Sequence, residues 1–342
     1  MLNIWLVFIL IVIIAHYLLD TVVSRLNLKA LSPNLPAEFE DTYDQEKYLQ
    51  SQNYTREQTR FSLVQNSITT VVTLLFLLGG GFNLVDVFIR SFGYGAIVTG
   101  ILYTGAIMLL AFLLGLPFSI YSTFVIEERF GFNRTTARTF IIDLAKAAML
   151  SILLGVPLLA AILWFFINTG SYGWLLCWIG TVLIGFIIQF LAPVLIMPLF
   201  NKFTPLEEGP LKDTIMAYAQ RQNFKISGIF TMDGSKRSTK LNAFFTGFGR
   251  FRKIVFFDTL LEEVEDDEVV AVLAHEMGHY KRRHIWKLMA ASILQTGLMF
   301  YLLSLFMENP GLFRAFKMEH ISIYASLFFS PSSTRRSVRC CQ

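Results

Sequence analysis

Six stretches of this chain stay apolar for too long to fold in water, and a seventh begins near its end. A helix needs about 20 mostly apolar residues to cross a bilayer, and inside lipid every backbone polar group must find its partner within the protein. The runs extend from Leu2 to about Val23, Ser67 to Ile89, Gly95 to Ile126, Ala145 to Ile167, Tyr172 to Phe200 and Ile285 to Met307, with the seventh starting near Ile321. Composition agrees: 54% of the 342 residues are hydrophobic and 16% charged. The expected fold is therefore an all-α polytopic membrane protein with six complete transmembrane helices and the start of a seventh. The first run has no Lys or Arg before it and no A-x-A pattern after it, so it reads as a retained span. The third is overlong, and Pro117 is expected to kink it.

Basic residues set the orientation. Arg25, Lys29, Lys47, Arg56 and Arg60 follow the first span, and Arg129, Arg134, Arg138 and Lys146 follow the third; the opposite side holds little beyond Arg90, Arg314 and Lys317. The positive-inside rule then puts the N-terminus outside and the loops after spans one, three and five in the cytoplasm. The chain divides on this reading into a five-span region (1–200), a cytoplasmic segment (201–284), the sixth span with the start of the seventh (285–329), and a polar tail (330–342).

Only the 201–284 segment is long enough to carry structure outside the bilayer, and it is too short to bury much core unaided. "KLNAFFTGF" and "IVFFDTLL", joined by a turn through Gly249 to Lys253, read as a small β-hairpin. "EEVEDDEVVAVLAHEMGHYKRR" reads as a helix, acidic at its start and basic at its end as the helix dipole prefers. Cys177, Cys340 and Cys341 form no disulfide framework. A net charge of +4, without Lys/Arg clusters interleaved with aromatics, leaves no case for nucleic acid.

Chemistry concentrates in "HEMGH". On a helix, His275 and His279 lie on one face four residues apart and can turn ring nitrogens toward a single Zn2+ ion. Glu276 stands beside the first of them, where a carboxylate can take a proton from water and return it to a leaving amine. The expected cofactor is one Zn2+ per chain. A site-2 intramembrane protease also uses this motif, but places it within an apolar span and adds Leu-Asp-Gly; here it is flanked by "EEVEDDE" and "YKRRH", and "LDG" is absent.

"HEMGH", with "SKRSTKLNAFFTGFGRFRKIVFFDTLL", "PLFNKFTPLEEGPL" and "YSTFVIEERFGFNRTT", resembles the M48 zinc metalloproteases of the Ste24 type, the CAAX prenyl proteases and their bacterial relatives. The resemblance runs from residue 1 to about 329. It implies seven helices around a large chamber, and cleavage on the carboxyl side of a prenylated cysteine or, in bacterial relatives, of other membrane-associated peptides. It makes His275 and His279 metal ligands and Glu276 the catalytic base. It also puts Asn242 and Ala243 on a substrate-binding edge strand, to which an extended peptide adds as another strand. The expected partners are a peptide or protein substrate and the lipid bilayer; compact loops lean toward a bacterial cytoplasmic membrane rather than the endoplasmic reticulum.

Other residues carry blander expectations. Phe244, Phe245 and Phe248 are read chiefly as packing, and Asn242 serves substrate or a structural turn bond equally well. Glu127 and Glu128 read as structural charges. Asp20 and Asp86 read as capping or interfacial, or as lining an aqueous chamber with Gln189. His284 lies five residues beyond His279 rather than the six of the metzincin pattern, so it is expected to be a surface histidine. A third ligand can return to the metal only after a seventh span, and the resemblance implies a Glu in E-x-x-x-D there. No such motif follows: "SPSSTRRSVRCCQ" places Arg335, Arg336 and Arg339 where a span is expected, each costing about 2.5–3.5 kcal/mol at mid-bilayer. Glu308, Glu319 and His320 fall on the far side of the membrane, and Cys340 and Cys341 have no route back. The alternative expectation is a C-terminally truncated, inactive chain.

Overall fold

The computed structural model describes residues 3–41, 44–224, 226–246, 253–307 and 309–328. Among them, six helices are long and apolar enough to cross a membrane: Ile4–Ala30, Gln45–Leu78, Ala96–Glu127, Ala137–Asn168, Gly173–Phe200 and His284–Phe306. They correspond to the six expected runs, and the chain is a multi-pass membrane protein. It forms two compact units, the first from residues 1–130, 156–177 and 299–342, the second from 131–155 and 178–298.

The first unit opens with α1 (Ile4–Ala30), which buries no residue. Trp5, Leu6, Ile9, Leu10 and Ile13 pack partly buried against the core of the unit, while Ile4, Phe8, Ile11, Leu18 and Leu19 are exposed, as suits a helix whose outer face meets hydrocarbon. The Asn3 side chain accepts from the Trp5 N–H (2.9 Å) and donates to the Gly311 carbonyl (2.6 Å), fastening α1 to α12 (Pro310–Ala315). Helix α2 (Gln45–Leu78) starts on Asp44, whose carboxylate accepts from the Glu46 and Lys47 N–H groups at 2.7 and 3.0 Å. The second expected span, Ser67 to Ile89, proves to be two elements. Gly80 adopts φ +77°, a left-handed conformation that ends the helix and starts α3 (Gly81–Arg90). The membrane helix instead gains length upstream, through the polar residues from Gln45 onward.

Helix α4 (Ala96–Tyr121) contains Pro117 without ending there. The irregularity falls just beyond it, where Ser122–Glu127 winds as a wider π-helix. The Tyr54 hydroxyl donates to Glu127 (2.6 Å) and Arg129 pairs with Glu57 (2.6 Å), tying that end to α2. The core of this unit gathers Leu77, Tyr103, Leu163, Phe313 and Tyr324, the last on the single-turn helix α13 (Ile323–Ser326). At its centre Asp86 is wholly buried, accepting from the Arg90 guanidinium (2.9 Å) and the Tyr324 hydroxyl (2.5 Å). Asp86 thus serves as a buried acceptor inside the unit rather than as a helix cap. It is the polar key that fixes the start of the expected seventh span. Asp20, by contrast, is half-exposed and lies 3.4 Å from His16 on the same helix.

Helices α5 (Ala137–Asn168), α6 (Gly173–Leu191) and α11 (His284–Phe306) contribute to both units. The second unit adds α7 (Met197–Phe200), β1 (Phe203–Pro205), α8 (Pro210–Arg221), β2 (Gly228–Met232), β3 (Ala243–Thr246), β4 (Lys253–Phe257), α9 (Asp258–Glu263) and α10 (Asp266–Lys281). The two strands of the expected hairpin are present as β3 and β4, antiparallel with Ala243 opposite Phe256 and Thr246 opposite Lys253, which belongs to the strand rather than the turn; the connecting residues 247–252 lie outside the described residues. They are half of a larger sheet of order β1-β2-β4-β3, in which β2 runs parallel to β4 and antiparallel to β1. Three residues in β1 and five in β2 are too few to show a period in the sequence.

Candidate active site

Helix α10 is built to hold two histidines still. Val269, Leu273 and Met277 recur every four residues, are almost wholly buried, and pack with Ile215 and Ala219 of α8 and with Ile254 and Phe256 of β4. Each such side chain contributes roughly 1.5–3 kcal/mol by leaving water. Asp266, Asp267 and Glu268 sit in the first turn and Lys281 in the last, in keeping with the helix dipole. With one face anchored, His275 and His279 stand on another, both exposed, their Nε2 atoms 3.1 Å apart. Glu276 lies between them in sequence and is half-buried.

His284 departs from its expected place. Helix α10 ends at Lys281, Arg283 takes φ +57°, and α11 starts at once with His284. That left-handed residue, costing roughly 1–2 kcal/mol outside glycine, turns the chain back on itself. The Nδ1 atoms of His284 and His279 come within 2.9 Å, and their rings meet edge to face. His284 is half-buried against the motif instead of lying free at the surface. It reaches the ring nitrogen of His279 that faces away from His275. Its offset from His279 still argues against a third metal ligand, and the left-handed turn instead brings His284 to the outer nitrogen of His279.

Strand β3 ends the sheet, so among the described residues its outer edge carries no strand. The Phe257 N–H donates to the Asn242 carbonyl at 3.0 Å, which fixes the phase of the ladder. By antiparallel alternation the main-chain groups of Phe244 then face β4, and those of Ala243 and Phe245 face the open edge. Asn242 is exposed, and its side-chain oxygen accepts from the Ala243 N–H at 2.9 Å. The local turn bond is therefore the contact Asn242 makes here. The Ala243 methyl is buried with Leu273 and Met277, so the edge strand packs directly on the histidine-bearing helix. Phe244 and Phe245 are half-buried; Phe248 lies outside the described residues.

The approach to β3 is clamped by side chains that sequence reasoning passed over. The Arg237 guanidinium grips Asp143 with two bonds (2.7 and 3.0 Å) and also donates to Asn201 (2.6 Å) and the Phe200 carbonyl (2.7 Å). Ser235 bonds the Asp258 carboxylate through both its N–H and its hydroxyl, and the Thr259 hydroxyl donates to the Lys240 carbonyl at 3.0 Å. A planar fork matched by a carboxylate is the strong form of such a tie.

Among the described residues no third His, Cys, Asp or Glu joins His275 and His279 to make a cluster of three. Glu319 is engaged with Asn83 at 3.0 and 3.2 Å. Glu308 and the tail at 330–342, on which the expectation of an aberrant terminus rests, lie outside the described residues. Gln189 lines a cavity of about 500 Å³ between α6 and α11, with Thr181 and Ser292.

Membrane-spanning helices that carry an HExxH helix braced by a small sheet define a multi-pass membrane peptidase. Residues 24–202 match the family described as CAAX prenyl protease N-terminal, five membrane helices, and residues 205–338 match peptidase family M48. The chain belongs to the M48 family, in its CAAX prenyl protease branch. It is 35% identical to CAAX prenyl protease 1 of Saccharomyces cerevisiae over 319 residues, covering 89% of this chain and 70% of the yeast protein. It is 34% identical to the CAAX prenyl protease 1 homolog of Arabidopsis thaliana over 315 residues, covering 89% and 74%. The crystal structure of S. mikatae Ste24p superposes with a TM-score of 0.89 at 31% identity, covering 95% of this chain and 81% of that one.

Proposed function

We propose that this chain is a zinc-dependent endopeptidase that cleaves membrane-associated peptides near their C-terminus, prenylated CAAX ends among them. The observation that carries the proposal is the pair of Nε2 atoms 3.1 Å apart on a helix packed against an open-edged strand. Two nitrogens each about 2.0–2.1 Å from one tetrahedral ion lie a little over 3 Å apart, so His275 and His279 fit Zn2+. His284, on the opposite nitrogen of His279, acts as the outer partner that orients a ligand ring. Zinc, when bound, polarises the scissile carbonyl and makes the attacking water more acidic.

The chain's own residues supply the rest. An extended substrate lies along β3 and bonds the outward main-chain groups of Ala243 and Phe245. Its carbonyl takes the Ala243 N–H in place of the Asn242 side chain, which holds that donor ready without leaving it unpaired. The Glu276 carboxylate accepts a proton from water as the hydroxyl adds to the peptide carbon, then delivers it to the departing amine nitrogen. Asn242 and Ala243 are positioning groups, and Glu276 is the base. The basic residues after spans one and three support a cytoplasmic side for this chemistry, since the loop after span five lies on the same side as theirs. The relatives named above are eukaryotic and lend no support to the bacterial membrane that the compact loops suggest.

The test is cleavage by the purified full chain of matched peptides with and without a prenylated cysteine, followed by mass spectrometry. Release of the C-terminal three residues, abolished in Glu276→Gln, is the expected result. Intact peptides with the unaltered chain loaded with zinc would refute the reading.

A further inference from the structure

A second cavity, of about 510 Å³, opens where the fifth span ends, and its lining includes Lys146, Phe200, Asn201, Lys202, Asp233 and Lys236. Three lysines against one aspartate leave two positive charges in that concavity. The walls are fixed before any ligand arrives. The Lys202 N–H donates to the Asp233 carboxylate (2.6 Å) and the Asp233 N–H to the Lys202 carbonyl (3.2 Å), so the two backbones are clasped. Lys236 closes the 3₁₀ turn that begins at Gly234, where a Cβ would stand 2.4 Å from a Phe257 ring carbon. The turn thus lies close against the Phe257 ring. The neighbouring Arg237 is already neutralised by Asp143, so the charge of the cavity belongs to the lysines.

Lys146 is the informative member. It lies nine residues into α5, about 14 Å along the axis, within a helix long and apolar enough to span a membrane. Its ammonium offers three donors. One reaches the Leu199 carbonyl (2.7 Å), and the amine sits 5.9 Å over the Phe200 ring. Leu199 and Phe200 are the last residues of the fifth membrane-length helix, so the cavity opens at the end of that helix.

We propose that this cavity binds the phosphate of an anionic glycerophospholipid. The lysines supply the charge, the cavity has room for a headgroup beyond a bare ion, and the adjoining apolar helix ends receive the acyl chains. Juxtamembrane basic pockets recognise anionic headgroups by this combination. The inference needs only the membrane-spanning architecture and is independent of the zinc chemistry.

The experiment measures lipid retained on the full chain in detergent by native mass spectrometry. Phosphatidylglycerol, phosphatidylcholine and inorganic phosphate are the probes. One phosphatidylglycerol is expected to persist per chain, in preference to phosphatidylcholine. Affinity should fall about fivefold for each of Lys146→Gln, Lys202→Gln and Lys236→Gln, the effect of removing one lysine near an anionic surface. Lys29→Gln, at the end of α1 and outside the cavity, is the control and should change nothing. Lys236→Gln removes an exposed side chain from a turn held by its backbone, so it keeps the test clear of misfolding. Displacement of the lipid by inorganic phosphate at comparable concentration would keep a phosphate site but overturn the lipid assignment. Equal retention of phosphatidylcholine, an equal loss in Lys29→Gln, or no loss in the three lysine variants would overturn the proposal.

Discussion

Helices α1 and α10 show how differently the two units encode their structure. The first has 27 residues and buries none of them; the second has 16 and sinks a row of apolar side chains into a sheet. In lipid, hydrophobicity tells a helix to enter the membrane and says little about what it should touch. In the smaller unit hydrophobicity places each side chain, because every buried contact removes area from water. The lesson is that α1 meets the core of its unit with partly buried side chains and a polar tie at its start, whereas α10 is anchored by a fully buried apolar row.

Breaking the polar key at Asp86 should have the largest effect. Asp86→Ala leaves the Arg90 guanidinium and the Tyr324 hydroxyl without their buried partner and is expected to destabilise the folded chain by about 3–5 kcal/mol. Thermal unfolding in detergent reads this directly. A melting temperature equal to that of the unaltered chain would remove Asp86 from its central place.

Next comes a matched pair. Leu273→Ala opens a cavity in the core beneath α10 and should cost about 2–5 kcal/mol, whereas Leu19→Ala on the outward surface of α1 should stay within about 0.5 kcal/mol. Similar losses for both would erase the contrast between the units.

The smallest change sharpens the comparison at the site itself. His284→Ala removes the partner at His279 Nδ1, and zinc should be held roughly 10–100-fold less tightly while the fold survives. Titration with a competing chelator measures it; unchanged affinity would return His284 to the status of a bystander.

Much of this was legible in the sequence, for reasons that follow the same division. Long apolar runs announce spans whatever their neighbours, so the six helices stand close to where the runs lie. The HExxH spacing and the hairpin strands are local patterns, and the structure realises both. What escaped depends on contacts remote in sequence or on single backbone angles. Gly80 divides an apolar run through one positive φ, which hydropathy does not register. His284 reaches His279 through the left-handed Arg283. Arg237 and Asp143 are 94 residues apart, and no period connects them. Strands β1 and β2 are visible only once the sheet recruits them.

The central claim is that a helix braced by the sheet presents His275 and His279 to one zinc ion with Glu276 as the base. The most direct measurement is zinc content and peptide cleavage on the purified full chain, beside Glu276→Gln. The account predicts close to one zinc per chain in both proteins, with cleavage only in the unaltered one. Zinc absent from both, or cleavage undiminished in Glu276→Gln, would contradict it.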